Sequence, residues 1–375
     1  MTTRPFAEVL ASVLDSDQLS EWMRQPVRAS RVRLKPDVSI TFALADQASA
    51  EPVGWARLLW PVSHNKVHKV ERWAEPHGLR VGHRELEPDL VLQTGEVAAD
   101  PSLGPRLVKA AVSGWLRPWS TPDLLRYNPL RRAVLLQGSR VVRVETKAHP
   151  LGTDFHRLIA SVVSVPRRHD DGSNRHLNVM AFVGDGDLAR CPLLSASRSA
   201  GAELAALHAA TGSLPEELAA SLTGRASDIP AQAEAHAALL DLLAPELAER
   251  VRAVGRHIAD AGFVGDPVLS HGDMSPDQVL VRLSDGQIWL TDFDRACLSA
   301  PACDLGSYLA VAERDCGRSF ISGYEEAGGT VPSAEQLRLG IARSLLLRLA
   351  DPLRAGMPEW RVRMATNLER VEALI

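Results

Sequence analysis

The chain is poor in aromatic residues: Trp, Phe and Tyr together make up 5% of 375 residues. It also lacks an excess of either charge, with 42 Lys and Arg against 46 Asp and Glu and a net charge of -4. A nucleic-acid-binding regulator needs a basic footprint interleaved with stacking aromatics, so that class is excluded. Only four cysteines are present, Cys191, Cys297, Cys303 and Cys316. They form no Cys-x-x-Cys pair and no zinc-like spacing with histidine, which excludes a disulfide framework or a zinc ribbon. Cys297 and Cys303 sit in an apolar stretch and read as buried free thiols, a pattern that suits a reducing cytoplasm. No run reaches the ~18 uncharged apolar residues of a membrane span, and Met1–Pro5 opens no signal-like apolar segment. The expectation is a soluble cytoplasmic protein with no membrane or nucleic-acid partner.

What is present is ordinary globular material, 45% hydrophobic and 23% charged. The length suggests two or three domains at roughly 150 residues each. Apolar positions from Phe6 to Leu14 recur with a helical period and predict one helix over Phe6–Met23. Val38–Leu44 and Gly54–Trp60 read as a hairpin, and so do Ala133–Gln137 and Arg140–Lys147 around a Gly138-Ser139 turn. Arg33-Leu34-Lys35-Pro36 and Arg126-Tyr127-Asn128-Pro129 each precede one of these hairpins, as a degenerate repeat would. Asn178–Val183 reads as a further strand. Beyond Leu194 the pattern turns helical: Gly201–Ala210, Ala231–Ala261 broken near Pro245, Ile341–Leu349 and Trp360–Leu374. Strands first and helices after point to an α+β protein with segregated lobes.

The chemistry concentrates in His271-Gly272-Asp273, then Gln278, then Asp292-Phe293-Asp294. Val279–Val281 and Ile288–Leu290 read as two short strands joined at Ser284-Asp285-Gly286. Their pairing would return Asp292 toward Gln278. One carboxylate is then free to orient a hydroxyl, while an amide oxygen and a second carboxylate can hold magnesium against phosphates. Phosphoryl transfer needs that equipment.

In these motifs, and in Asp304-Leu305-Gly306 ahead of an apolar helix, the chain resembles the aminoglycoside phosphotransferase and choline kinase superfamily. The resemblance implies a bilobal, protein-kinase-like α+β fold. Residues 1–120 would form an additional N-terminal α/β cap domain, 121–196 the small nucleotide-binding lobe, and 197–375 the helical lobe with the catalytic loop. It implies an ATP- and Mg2+-dependent phosphotransferase with an alcohol group as acceptor, acting as a monomer or homodimer. Asp273 would be the catalytic base, Gln278 and Asp292 the metal ligands, His271 a scaffold residue and Asp304 a support beneath the loop. Asp294 would add a metal or substrate contact, or form a surface pair with Arg295.

Gln278 stands where the family usually has Asn. Maltokinases and glucosamine kinases of actinobacterial type resemble this chain there, and in the run Arg131-Arg132-Ala133-Val134. That points to a sugar or amino sugar as acceptor, ahead of an aminoglycoside or an amino alcohol. Lys147 matches the family lysine that pairs ATP phosphates, and Gly138 is the single glycine of the phosphate loop. Two features depart from the family. The loop is glycine-poor, and no Glu lies between Ala148 and Gly184 to pair with Lys147; Asp154 is the nearest carboxylate. A catalytically silent module that binds without turnover is therefore the rival class. Glu313, Asp315, Glu325, Glu326, Glu335, Asp351 and Glu359 are the candidate acidic wall for a cationic acceptor.

Overall fold

The computed structural model describes residues 5–87, 89–118, 123–149 and 151–375. The expected domain boundary at 120/121 and the start at Met1–Arg4 lie outside the described residues. The chain divides into two compact units. One comprises Met1–His149, His169–Met180 and Asp351–Arg361; the other comprises Pro150–Arg168, Ala181–Ala350 and Val362–Ile375.

In the first unit, the single helix predicted over Phe6–Met23 is two, α1 (Phe6–Leu14) and α2 (Ser16–Met23). Asp15 is the cause. Its Oδ1 accepts from the N–H groups of Asp17 and Gln18 at 2.9 and 3.0 Å, so it caps the second helix and ends the first. An antiparallel sheet follows, built from β1 (Val27–Lys35), β2 (Ser39–Asp46), β3 (Pro52–Leu59), β4 (Val81–Glu87) and β5 (Leu90–Gly95) in the order β1-β2-β3-β5-β4. Helices α3 (Asn65–Ala74) and α4 (Gly104–Val112) complete this part. A second sheet takes β6 (Leu124–Asn128), β7 (Arg132–Gln137), β8 (Arg140–Glu145) and β9 (Leu177–Ala181) in that order. Arg33–Lys35 and Arg126–Asn128 do not merely lead into hairpins; they belong to the first strand of each sheet.

Both sheets bury side chains in one core, where Trp55, Val70, Leu103 and Leu107 meet Tyr127, Leu135, Val142 and Val179. Buried Asp100 ties them together. It accepts from the Ser102 and Leu103 amides, the Leu130 amide and the Tyr127 hydroxyl, all at 2.7–2.8 Å. Burial pushes the Asp100 carboxyl up against the pull of those donors. Trp55 and Trp60 are core residues here, and Trp55 Nε1 donates to the Glu96 carbonyl at 3.1 Å.

The second unit begins with α5 (Thr153–Val162) and the short β10 (Gly186–Asp187), then α6 (Leu194–Ala209). α6 starts seven residues before the predicted Gly201, because its first turns are small residues, Ala196, Ser197 and Ala200, that are buried without a strong apolar signal. Then come α7 (Glu216–Leu222), α8 (Ile229–Leu243) and α9 (Pro245–Ala261); Pro245 opens α9 at a position where its missing N–H costs no helical bond. Two small sheets follow. β11 (Val268–Ser270) pairs with β14 (Cys297–Ser299), and β12 (Val279–Val281) pairs with β13 (Ile288–Leu290) and with β10. Helices α10 (Pro301–Leu309), α11 (Arg314–Glu326), α12 (Ala334–Leu347) and α14 (Trp360–Glu372) follow, while α13 (Asp351–Arg354) and the first two residues of α14 belong to the first unit. Among the described residues no helix is long and apolar enough to cross a membrane.

α10 and α12 pack at a glycine crossing. A Cβ on Gly306 would lie 2.3 Å from the Gly340 carbonyl carbon, and one on Gly340 would lie 2.0 Å from the Ala302 carbonyl oxygen. Only glycine allows the two backbones to approach so closely. The crossing fixes the C-terminal end of α12 relative to α10, and Arg348 is the cap residue at that end.

Candidate active site

β11 and β14 pair Ser270 with Cys297, so the residues that follow β11 run beside those that precede β14. The first turn of α10 supplies Asp304, which is 1% exposed. Its Oδ2 accepts from the His271 amide at 2.6 Å and its Oδ1 from the Gly272 amide at 2.9 Å. One carboxylate thus satisfies two backbone donors that no strand partner reaches. His208 Nε2 lies 3.4 Å from Asp304 Oδ2, and His208 Nδ1 lies 2.9 Å from the Tyr324 hydroxyl. Burial works against ionisation of Asp304, but the hydrogen bond and charge of His208, the charge of His271 and the Gly272 N–H outweigh it and hold the carboxyl below its ordinary value.

His271 is fully buried, and its Nε2 is 2.8 Å from the Thr291 carbonyl. A carbonyl only accepts, so Nε2 carries the proton. The bond joins the His-Gly-Asp segment to the residue just before Asp292, and the ring packs 4.5 Å from Phe293. Gly272 has φ +80°, and a Cβ there would lie 2.0 Å from the Arg295 carbonyl oxygen. The position demands glycine twice over, for conformation and for space.

Asp273, 30% exposed, comes next in the loop. Arg348 Nη2 donates to its Oδ1 at 2.9 Å, and Arg295 Nη1 lies 3.5 Å from its Oδ2. Arg295 therefore pairs with Asp273. Gln278 and the 291–292 segment are neighbours through their backbones: the Thr291 amide and hydroxyl donate to the Gln278 carbonyl at 2.9 and 3.2 Å. Gln278 Nε2 donates to Asp277 Oδ2 at 3.0 Å, which leaves the amide oxygen as the side chain's acceptor. Asp292 has φ 62° and ψ 51°, a left-handed conformation uncommon for a residue with a side chain and concentrated at functional sites. Arg225 clamps the segment beyond it, donating to the Asp294 and Ala296 carbonyls at 2.8 Å each.

The second unit thus carries His271, Asp273, Gln278, Asp292 and Asp294 in the segments around β12 and β13, and Asp304 in the first turn of α10. Lys147 and Gly138 belong to the first unit. Lys147 is exposed two residues past the end of β8, and Gly138 takes φ +63° in the turn between β7 and β8. Asp154, the nearest carboxylate to a helix glutamate, is an exposed partner of Arg157 at 2.7 Å in α5.

Sequence reasoning missed His208, Arg225 and Arg348. Each lies far along the chain from the site residue it reaches, and none belongs to a motif. The single hint was His208 on the apolar face of α6 beside Leu204 and Leu207.

The chain belongs to the phosphotransferase enzyme family (APH), whose model matches residues 136–339, more than half of it. The family acts on hydroxyl-bearing small molecules. No protein of curated function matches the chain by sequence. Among solved structures, a choline/ethanolamine kinase family protein from Mesorhizobium loti is 18% identical, covers 72% of this chain and 93% of its own, and has a TM-score of 0.51. Choline kinase LicA from Streptococcus pneumoniae is 13% identical over 71% of this chain and 98% of its own, with a TM-score of 0.51. The GDP complex of a point mutant of an aminoglycoside 2'-phosphotransferase is 21% identical over 72% of this chain and 97% of its own, with a TM-score of 0.50. These likenesses show the fold: bilobal, α+β and protein-kinase-like, with a β-rich N-terminal region that suits a cap.

Proposed function

We propose that this phosphotransferase is an ATP-dependent kinase that moves the γ-phosphoryl group to a hydroxyl of a sugar or amino sugar. The observation that carries the reading is the pair of hydrogen bonds that the His271 and Gly272 amides donate to the Asp304 carboxylate, which fixes the loop that the adjoining Asp273 ends. Asp273 is the base: it orients the acceptor O–H and takes its proton as the new O–P bond forms and the bond to ADP breaks. His271 and Asp304 hold the loop. Lys147 steadies the nucleotide phosphates and Gly138 gives them room at the small-lobe turn. Residues 1–120 would form the cap, 121–196 the small lobe and 197–375 the helical lobe, with 150–168 and 181–196 packed into the second compact unit and 351–361 into the first.

Among the described residues no group of three or more His, Cys, Asp or Glu is placed to hold a metal. Magnesium does not need one, since it takes one or two carboxylates and completes its shell with water and phosphate oxygens. The hard oxygen donors of Asp292 and Gln278 fit that demand, with Asp294 adjoining. Bound there, the ion would neutralise phosphate charge.

Gln278 in place of Asn supports a sugar as acceptor, through its likeness to maltokinases and glucosamine kinases. A second reading, nucleotide binding without turnover, is favoured by α5, which carries no Glu and whose Asp154 is paired with Arg157. One experiment separates them: ADP or GDP release from MgATP or MgGTP over a panel of sugars, amino sugars, aminoglycosides and amino alcohols, with Asp273→Asn as control. Acceptor-dependent release that falls about 10²- to 10⁴-fold in the control supports the kinase. Calorimetric nucleotide binding with no release from any acceptor supports the silent module.

A further inference from the structure

Arg348 is held by the protein on one side and open on the other. Its Nε donates to Ser344 Oγ at 3.3 Å, and its Nη2 donates to Asp273 Oδ1 at 2.9 Å and Ser307 Oγ at 3.4 Å. Ser307 and Ser344 are buried and bonded to each other at 3.4 Å, so the guanidinium is aimed by α10 and α12 together. Nη1 makes no hydrogen bond among the described residues, and the side chain is 25% exposed. With Arg295 on the other oxygen of Asp273, two positive charges flank one negative charge at the atom an acceptor hydroxyl must reach. Of the residues considered for an acidic acceptor wall, Glu326 is bonded to Arg198 and Asp315 to Arg318, so these two already carry a counter-charge.

An ammonium-bearing acceptor would have to displace these guanidinium groups from Asp273 or sit against them, and like charges in a partly dry site discriminate strongly. An oxyanion gains from the same arrangement, because a guanidinium fork matches the paired oxygens of a carboxylate or phosphate. We infer that the acceptor carries an anionic group, carboxylate or phosphate, beside its hydroxyl, and that Arg348 is the residue that selects it. The inference rests on the kinase reading but departs from its amino-sugar arm: it narrows the acceptor to acid sugars or sugar phosphates, against amino sugars and aminoglycosides.

The test compares matched acceptors on one skeleton with the full chain, MgATP and an ADP readout. One set is glycerol, its phosphate ester, glycerate and serinol; the other is glucose, its monophosphate ester, glucuronate and glucosamine. An anionic member is expected to show the highest kcat/KM of its set and the amine the lowest, and the two anions tell carboxylate from phosphate. Arg348→Gln is expected to raise KM for the preferred anion about 10- to 100-fold, as loss of a charge-assisted bond does, with far less effect on the neutral member. Arg348→Lys is expected to restore part of the loss. If Arg348 only orients Asp273, Arg348→Gln lowers kcat for every member alike and the charge preference persists, which overturns the inference. A wild-type preference for the neutral or amine member overturns it too. Should no member turn over, the same anions are titrated calorimetrically into protein holding a non-hydrolysable ATP analogue; no anion binding at millimolar concentration then overturns it. Failure of the kinase reading looks different: MgATP fails to bind, or ADP release ignores Asp273→Asn.

Discussion

Asp304 and His271 are 33 positions apart in sequence and joined by a 2.6 Å hydrogen bond from the His271 amide to the Asp304 carboxylate. The Gly272 amide takes the other carboxylate oxygen. A helix-borne side chain therefore does what a strand partner would otherwise do for the motif loop. Asp304→Asn keeps the shape but can accept at only one atom, and turns an N–H donor toward a backbone donor. We expect a loss of about 3 kcal/mol in urea unfolding, since a buried charged acceptor is removed and a donor is stranded. We also expect turnover to fall at least as far as for Asp273→Asn.

The pH dependence of that same pair of proteins has a definite sign. The Asp304 carboxyl is held below its ordinary value in the fold. An acid with a depressed native pKa stabilises the fold fully above its unfolded pKa and loses that contribution as pH falls through the native value. The stability gap between wild type and Asp304→Asn should be flat above about pH 5 and should shrink below about pH 4. A gap that widened on acidification would contradict the assignment of Asp304 as an ionised acceptor.

Gly272→Ala places a methyl 2.0 Å from the Arg295 carbonyl oxygen at a positive φ. Both penalties act on the segment that carries Asp273. The variant is expected to lose several kcal/mol of stability or to displace the loop, with turnover lost in either case. Gly212→Ala, where an added Cβ meets nothing within 4 Å, is the control and should unfold with wild type.

Much of this arrangement was legible in the sequence because it is local. His271-Gly272-Asp273, Gln278 and Asp292-Phe293-Asp294 are short motifs, and the β12–β13 hairpin between them follows from Val279–Val281 and Ile288–Leu290. The hairpins at 39–59 and 132–145 were visible for the same reason: period-two alternation on either side of a turn. What escaped is non-local. Arg348 and Arg225 are arginines among many, and nothing in their neighbours announces that a glycine crossing or a loop carbonyl will claim them. The split at Asp15 was misread because the apolar period runs straight through a capping residue. The early start of α6 was missed because burial by small side chains leaves little hydrophobic period.

The cysteines give a prediction that needs no acceptor. Burial pushes the Cys297 thiol up to about 11 and raises that of Cys303, and Cys316 is buried as well. Only the thiolate attacks a disulfide reagent. In the folded protein at pH 8 one thiol, that of half-buried Cys191, should react promptly with Ellman's reagent, and Cys191→Ser should remove that phase. All four should react in urea. Prompt reaction of a second thiol would mean that the β11–β14 region, which holds Cys297 beside Ser270, opens far more readily than its packing implies.

Gly340→Ala tests the link from helix packing to the site. The added methyl would lie 2.0 Å from the Ala302 carbonyl oxygen, so α12 must move away from α10. Overpacking of this kind costs about 1–3 kcal/mol. The displacement has a directed consequence, because Ser307 rides on α10 while Ser344 and Arg348 belong to α12 and its cap. Separating the helices stretches the Ser344–Ser307 and Arg348–Ser307 bonds, each already at 3.4 Å, and loosens the guanidinium that contacts Asp273. Acceptor KM should rise more than nucleotide affinity falls, because two of the proposed nucleotide contacts, Lys147 and Gly138, lie in the other unit. Gly306→Ala should act alike, and the double variant should fall well short of the sum, since both relieve the same contact. Equal losses in acceptor and nucleotide binding would instead indicate general loosening of the helical unit and break the proposed path from Gly340 to Arg348.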